Sequence, residues 1–193
     1  MLRVAAHTAA LALSALALVV PAQAQAASSA DIRAAAASDT CAHADTPAGA
    51  TSLQNFRAST LCLMNAQRTA YGLRALRTQA RLGRAAGAFA REMVAKGFFA
   101  HESPAGSTVE SRVKAARYTR HTLIGENIAW GTGAQATPRA TVQAWMQSPP
   151  HRKNLLDGMY TEVGIGIAAG APQAVAAGEH GSTYVTDFGR RLR

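Results

Sequence analysis

Residues Thr137 to Ala168, TPRATVQAWMQSPPHRKNLLDGMYTEVGIGIA, hold the change of period that sets the fold class. The first part is helical. Thr137 supplies a capping hydroxyl, and Pro138 at the next position has the backbone angle that a helix start needs. Val142, Trp145 and Met146 follow at helical spacing. Pro149-Pro150 ends that helix, because proline lacks the N–H and its ring clashes with the preceding turn. The last part, Val163 to Ala168, is a short apolar run that reads as a strand, and Thr183 to Phe188 reads as another.

Upstream of this stretch the period is helical throughout. Leu61, Met64, Ala66 and Thr69 predict a helix from about Ser59 that stops at Gly72. Leu82, Ala86, Phe89 and Met93 predict a second helix from Thr78 to Lys96, stopped by Gly97. Ser107-Thr108-Val109-Glu110 has the spacing of a capping box, with Val109, Val113 and Ala116 forming an apolar stripe behind it. Helices first and strands late make an α+β chain. Met64, Met93 and Met146 fall on apolar helix faces, so they belong to the core. Trp145 reads as a core anchor and Trp130 as core or the wall of a cleft.

The N-terminus has a different character. Residues 1–24 have the build of a secretory signal: Arg3, an apolar run from Ala9 to Val20, Pro21, and an Ala22-Gln23-Ala24 cleavage site. The run is shorter than the roughly 18 residues that a bilayer span requires. No cysteine follows it, so a lipoprotein anchor is not expected. The reading is a secreted protein with no transmembrane anchor. Cleavage leaves 169 residues, 19 of them basic and 11 acidic, for a net charge of +8. Cys41 and Cys62 are the only two cysteines, and in an oxidising compartment they are expected to pair. The bridge would close a loop worth roughly 3 kcal/mol of chain entropy. Apolar Leu61, Leu63 and Met64 surround Cys62, which argues against a nucleophilic thiol. Residues 25–58 read as an N-terminal linker or extension tied down by Cys41, with a folded domain over 59–189 and a basic tail at 190–193.

The sequence pI near 10.6 raises nucleic acid as a partner. That reading fails, since no helix-turn-helix or RNA-binding motif is present, aromatics are only 6%, and secretion removes the target. The basic excess lies on Arg68 to Arg91, on Arg112 to Arg120 and in the tail, and reads as helix faces and a tail. An anionic wall polymer stays open as a partner, through contacts that salt would screen.

Most candidate metal ligands and acid–base groups sit at element junctions. His101, Glu126, His151 and Glu162 carry the donor types of a divalent metal such as zinc. The alternative is structural: His151 capping a helix, with the two glutamates satisfying backbone N–H groups in glycine-rich turns. Familiar catalytic signatures are missing. His101-Glu102 begins like H-E-x-x-H, but Pro104 would break the helix that motif needs. No nucleophile elbow or P-loop is present, and Gly164-Ile165-Gly166 lacks the third glycine of a dinucleotide site.

Six stretches, in order, resemble the CAP superfamily of cysteine-rich secretory, antigen 5 and pathogenesis-related proteins in its bacterial secreted form. They are Leu63-Met64-Asn65-Ala66-Gln67-Arg68 with Gly72-Leu73, Gly97-Phe98-Phe99-Ala100-His101, Gly125-Glu126-Asn127-Ile128-Ala129, Trp145 to Leu156, Tyr160 to Gly166, and Val185-Thr186-Asp187-Phe188-Gly189. The resemblance covers roughly residues 59–189. It implies a three-layer α-β-α sandwich with a central cleft. That cleft carries two histidines and two glutamates that hold a divalent metal in some members. His101 and Glu126 match that tetrad, His151 matches the bacterial W-x(5)-H pattern, and Glu162 supplies the fourth position. Asn127 would support the Glu126 segment. The chain lacks the G-H-Y-T-Q segment of animal and plant members.

Three functions are compatible with this reading. One is a binding module for a lipid or small apolar ligand, with Phe98-Phe99 near the site. The second is a metal-dependent hydrolase with Glu126 or Glu162 as base. The third is a charge-driven wall-associated protein.

Overall fold

In the computed structural model, residues 28–192 are described. The signal segment 1–24 lies outside the described residues. The described chain forms α1 (Ser29–Ser38), α2 (Leu53–Ala70), β1 (Arg77–Thr78), α3 (Ala80–Lys96), α4 (Val109–Ala115), β2 (His121–Thr132), α5 (Pro138–Gln147), α6 (Pro149–Leu155), β3 (Glu162–Ala169) and β4 (Gly181–Arg191).

The sheet has the order β1-β3-β4-β2. β1 runs parallel to β3, while β3 and β2 are both antiparallel to β4. Side chains alternate across a strand, so the sheet has two distinct faces. On one face Val163, Ile165, Ile167, Tyr184 and Phe188 pack against Phe56, Leu63 and Met64 of α2 and Val142 and Trp145 of α5. On the other, Ile128, Ala168 and Val185 pack against Ala86, Phe89 and Met93 of α3. Leu82, Val113 and Tyr118 extend that second layer toward α4. The result is an α+β chain arranged as helices, sheet, helices.

The Gly-Ile-Gly-Ile run of β3 sets how close the second layer comes. A Cβ on Gly164 would sit 2.1 Å from backbone atoms of Leu82 and Gly83, and one on Gly166 would sit 2.1 Å from Ala86. Two glycines therefore let α3 lie directly on the strand. Their partners Ile165 and Ile167 point the other way, into the α2 and α5 core.

Most expected boundaries hold within two residues. Gly97 ends α3 in the left-handed region at φ 65, which glycine adopts without steric penalty. Thr137 caps α5 through its hydroxyl and Pro138 opens it. Besides the short β1 and α6, which the sequence reading does not include, four details differ from it. α2 begins at Leu53, because Ser52 caps it and accepts from Asn55 N–H, and Phe56 is buried. Thr108 rather than Ser107 caps α4, accepting from Ser111 N–H. The stretch read as linker holds α1, which has a true capping box between Ser28 and Asp31. β2 was not foreseen, because Glu126 and Asn127 interrupt its apolar alternation.

The Cys41–Cys62 disulfide is formed, with Cα atoms 5.7 Å apart, and ties the segment after α1 to α2. Arg68 is not on a solvated helix face: it is 1% exposed. Its guanidinium donates to the carbonyls of Arg74, Leu155, Asp157 and Tyr160 at 2.8–3.2 Å. It thereby joins the end of α2 to the loop between α6 and β3. Burial lowers its pKa, opposed by the charge of Asp157.

Candidate functional site: a buried carboxylate between an arginine and an imidazole

Glu126 is in the middle of β2, opposite Asp187 of β4, on the face covered by α3 and α4. Its side chain is 2% exposed. One oxygen, Oε1, lies 2.7 Å from His101 Nδ1, and the other, Oε2, accepts from Arg112 Nη2 at 2.6 Å. Both sides of the carboxylate are thus occupied by a donor. Gly125 makes room for this segment, since a Cβ there would lie 2.2 Å from the Tyr160 hydroxyl.

Arg112 comes from α4 and is held at several points. It donates to the carbonyls of Ser107 at 2.7 Å and His101 at 3.1 Å. Its guanidinium carbon lies 3.4 Å from the centre of the Phe89 ring, a cation–π stack. The helix-face reading of Arg112 is therefore corrected: it is a buried clamp, because a carboxylate in a dry site needs a charged partner.

His101 follows α3 and is 59% exposed at the side chain. A carboxylate accepts only, so the Nδ1 facing it carries the proton in the neutral ring. Nε2 is then a free lone pair on the solvent side. This is the arrangement by which a carboxylate orients an imidazole as a base or ligand. Phe99, two residues earlier, is 45% exposed beside it, whereas Phe98 packs on Phe89.

His151 sits in the first turn of α6, where Nδ1 is 2.7 Å from Ser148 Oγ. Burial lowers its pKa, and the charge of nearby His101 lowers it further. Asn127 points to the other face and ties the two parts together. It donates to the His151 carbonyl at 3.0 Å, and Asn154 donates to the Glu126 carbonyl and to Asn127 Oδ1. The supporting position given to Asn127 thus joins β2 to α6.

Glu162 is elsewhere. It opens β3 on the same face as Glu126, but two strands away, opposite Gly189. Tyr118 donates to it at 2.8 Å and Arg191 donates at 3.1 and 3.2 Å. Burial pushes its pKa up, but the bonds from Arg191 and Tyr118 outweigh this and hold it below the usual range.

Sequence reasoning missed Asp187, Arg112 and Asn154. Asp187 is fully buried opposite Glu126, and no N–H or O–H donor among the described residues reaches its oxygens. Burial raises its pKa well above the usual carboxylate range, and the charge of Glu126 adds to this. The signal for it was present: an acid inside the strand motif Val185-Thr186-Asp187-Phe188-Gly189.

Among the described residues, no group of three or more His, Cys, Asp or Glu side chains is placed to hold an ion. Both oxygens of Glu126 face donors, and Glu162 is taken by Tyr118 and Arg191. Only the outer nitrogens of two imidazoles remain, one fewer than the three protein ligands of a catalytic zinc site. The four residues of the expected set do not converge in this arrangement, because β4 stands between Glu162 and Glu126.

The chain belongs to the cysteine-rich secretory protein family, CAP, whose pattern matches residues 61–186. A Bacillus subtilis relative, the uncharacterized protein YkwD, is 38% identical over 104 residues, which is 54% of this chain and 39% of YkwD. An extracellular SCP-domain protein from Bacillus anthracis has TM-score 0.58 and 25% identity, covering 74% of this chain and 45% of that one. An outer surface protein from Borrelia burgdorferi has TM-score 0.62 at 19% identity, covering 74% of this chain and 97% of that one. The chain thus spans less than half the length of the two Bacillus relatives. No helix among the described residues is long and apolar enough to cross a membrane.

Proposed function

We propose that this chain is an extracellular CAP-domain binding module whose ligand is held against the outer nitrogen of His101. Secretion is supported by the signal-like residues 1–24, by the disulfide, and by the extracellular and outer-surface descriptions of the structural relatives. The observation that carries the ligand site is the occupation of Glu126 from both sides, by Arg112 and by His101. A carboxylate so held orients the imidazole and leaves Nε2 as an acceptor facing out. His151 stands beside it, and half-exposed Phe99 offers apolar surface to a lipid-like or small apolar ligand. Asn127 supports the site by joining its two elements. Glu162 instead bonds Tyr118 and Arg191 at the start of β3.

The test is ligand retention. Protein secreted into its native culture medium is purified and extracted, and the extract is compared by mass spectrometry with that of His101→Ala and Glu126→Gln. The reading requires a small molecule retained by the wild type and lost from both variants. A wild type that carries none, with His101 ring resonances unmoved by medium extract, overturns it. The same Glu126–His101 pair also supports a second reading, an enzyme with His101 as general base. Turnover that follows a single ionisation and vanishes in His101→Ala would favour that reading.

A further inference from the structure

We infer that the outer edge of β3 is a docking site for an extended acidic segment of a partner protein, added to the sheet as a further strand. The site is independent of the His101 centre, which lies beside β2 at the opposite side of the sheet.

Beyond Val163 this edge has no strand paired to it, because β1 is so short. β1 pairs only with Glu162 and Val163. Backbone direction along β3 follows from two bonds. Val163 O accepts from Gln79 N at 2.8 Å on the outer side, and Gly170 N donates to Gly181 O at 2.8 Å on the β4 side. Direction alternates residue by residue, so Ile165, Ile167 and Ala169 turn N–H and C=O outward. Among the described residues no turn, loop or cap bond reaches them. A row of unpaired strand groups is a template for another strand.

Space lies along this edge. Two adjoining cavities of about 400 and 510 Å³ run between α2 and α3, sharing Arg57, Ala80, Gly83 and Ile165. The α3 wall is low there, at Ala80, Gly83 and Gly87. β3 backbone from Val163 to Ile167 forms the floor.

Charge selects the occupant. Arg57, Arg84 and Arg91 line the trough, and no Asp or Glu does. Arg84 also donates to the Ala116 carbonyl, but Arg57 and Arg91 make no ion pair among the described residues. A second copy of this edge would bring the same arginines face to face, so like charge opposes self-pairing. An acidic strand meets complementary charge, while main-chain bonds supply affinity that is independent of its sequence.

The experiment uses the secreted protein and capped peptides of alternating Glu and Val, beside matched Lys and Val peptides. Amide hydrogen exchange is read residue by residue. Glu peptides should slow exchange at Ile165 and Ile167 about tenfold or more, and added salt should weaken the effect. Arg57→Glu with Arg91→Glu should reduce affinity about tenfold or more. Arg57→Gln with Arg91→Gln should act in the same direction if the charge reversal unfolds the protein. The proposal is overturned if Glu and Lys peptides protect equally, if neither protects Ile165 and Ile167, or if sedimentation shows a dimer that masks those same amides.

Discussion

Glu126 and Glu162 stand on the same face of one sheet, and each is bonded to an arginine and to a second donor. Glu126 lies deep in β2, beside the fully buried Asp187, with its arginine stacked on Phe89. Glu162 lies at the rim, with an arginine whose side chain is 42% exposed. Ion pairs of one chemistry thus occupy two depths. At the rim water screens the pair, and it contributes little. In the interior neither charge can return to water, so each depends on the other. The comparison also separates positioning from simple charge pairing: only the deep carboxylate bonds an imidazole.

The largest test of that difference is Arg112→Ala. It leaves Glu126 and Asp187 buried without a cation, and about 3–5 kcal/mol of stability should be lost in urea unfolding. A loss no greater than that of Arg191→Ala would erase the contrast between the two sites.

Next comes Glu126→Gln, which keeps shape but removes the charge facing Arg112. About 1–3 kcal/mol should be lost, and the His101 ring should no longer favour the Nδ1–H tautomer in nitrogen NMR spectra. An unchanged tautomer would show that Glu126 does not orient His101.

Asp187 sharpens the comparison through pH. Its folded pKa is raised by burial and then by Glu126, so above about pH 4 the native state holds a proton that the unfolded chain has released. Its contribution is therefore intact below about pH 4 and declines as pH rises toward the folded value. Asp187→Asn should flatten that part of the stability profile. Glu162 has the opposite sign. Its folded pKa is lowered, so its contribution is present above the unfolded value and lost as pH falls through the folded one. Equal pH slopes in the wild type and Asp187→Asn would remove Asp187 from the account.

The smallest effect is expected from Arg191→Ala, because a pair on a solvent-exposed arginine is screened by water and contributes little to stability in urea unfolding. The Glu162 carboxyl should then titrate nearer its ordinary range, as read by carbon NMR, while His101 is unmoved. Coupled changes at His101 would mean that Glu162 belongs to the site after all.

Much of the fold was legible because its signals are local. Val142 and Trp145 at helical spacing, Pro138 at a helix start and Gly97 past a helix end each act within a few residues. The run Val163 to Ala168 was legible as a strand because one face supplies three branched apolar side chains. β2 was not, since Glu126 and Asn127 occupy inward positions that apolar residues usually fill. The site was half legible. Residue types picked out His101 and Glu126, but grouping them with Glu162 required strand order, which no local pattern carries. Arg68 and Arg112 looked like solvated charge because side-chain burial depends on what packs over them.

The sequence alone determined the signal-like character of the first residues, the helices-then-strands order, the cysteine pair and the residues able to carry chemistry. These follow from composition, period and near-neighbour bonding. Only the tertiary structure decided which of those residues meet. Register between β2 and β4 puts Glu126 against Asp187, the packing of α4 brings Arg112 to them, and two intervening strand spacings keep Glu162 away. Those distances are set by hydrogen-bonded pairing between segments far apart in the chain, which no spacing along the chain encodes.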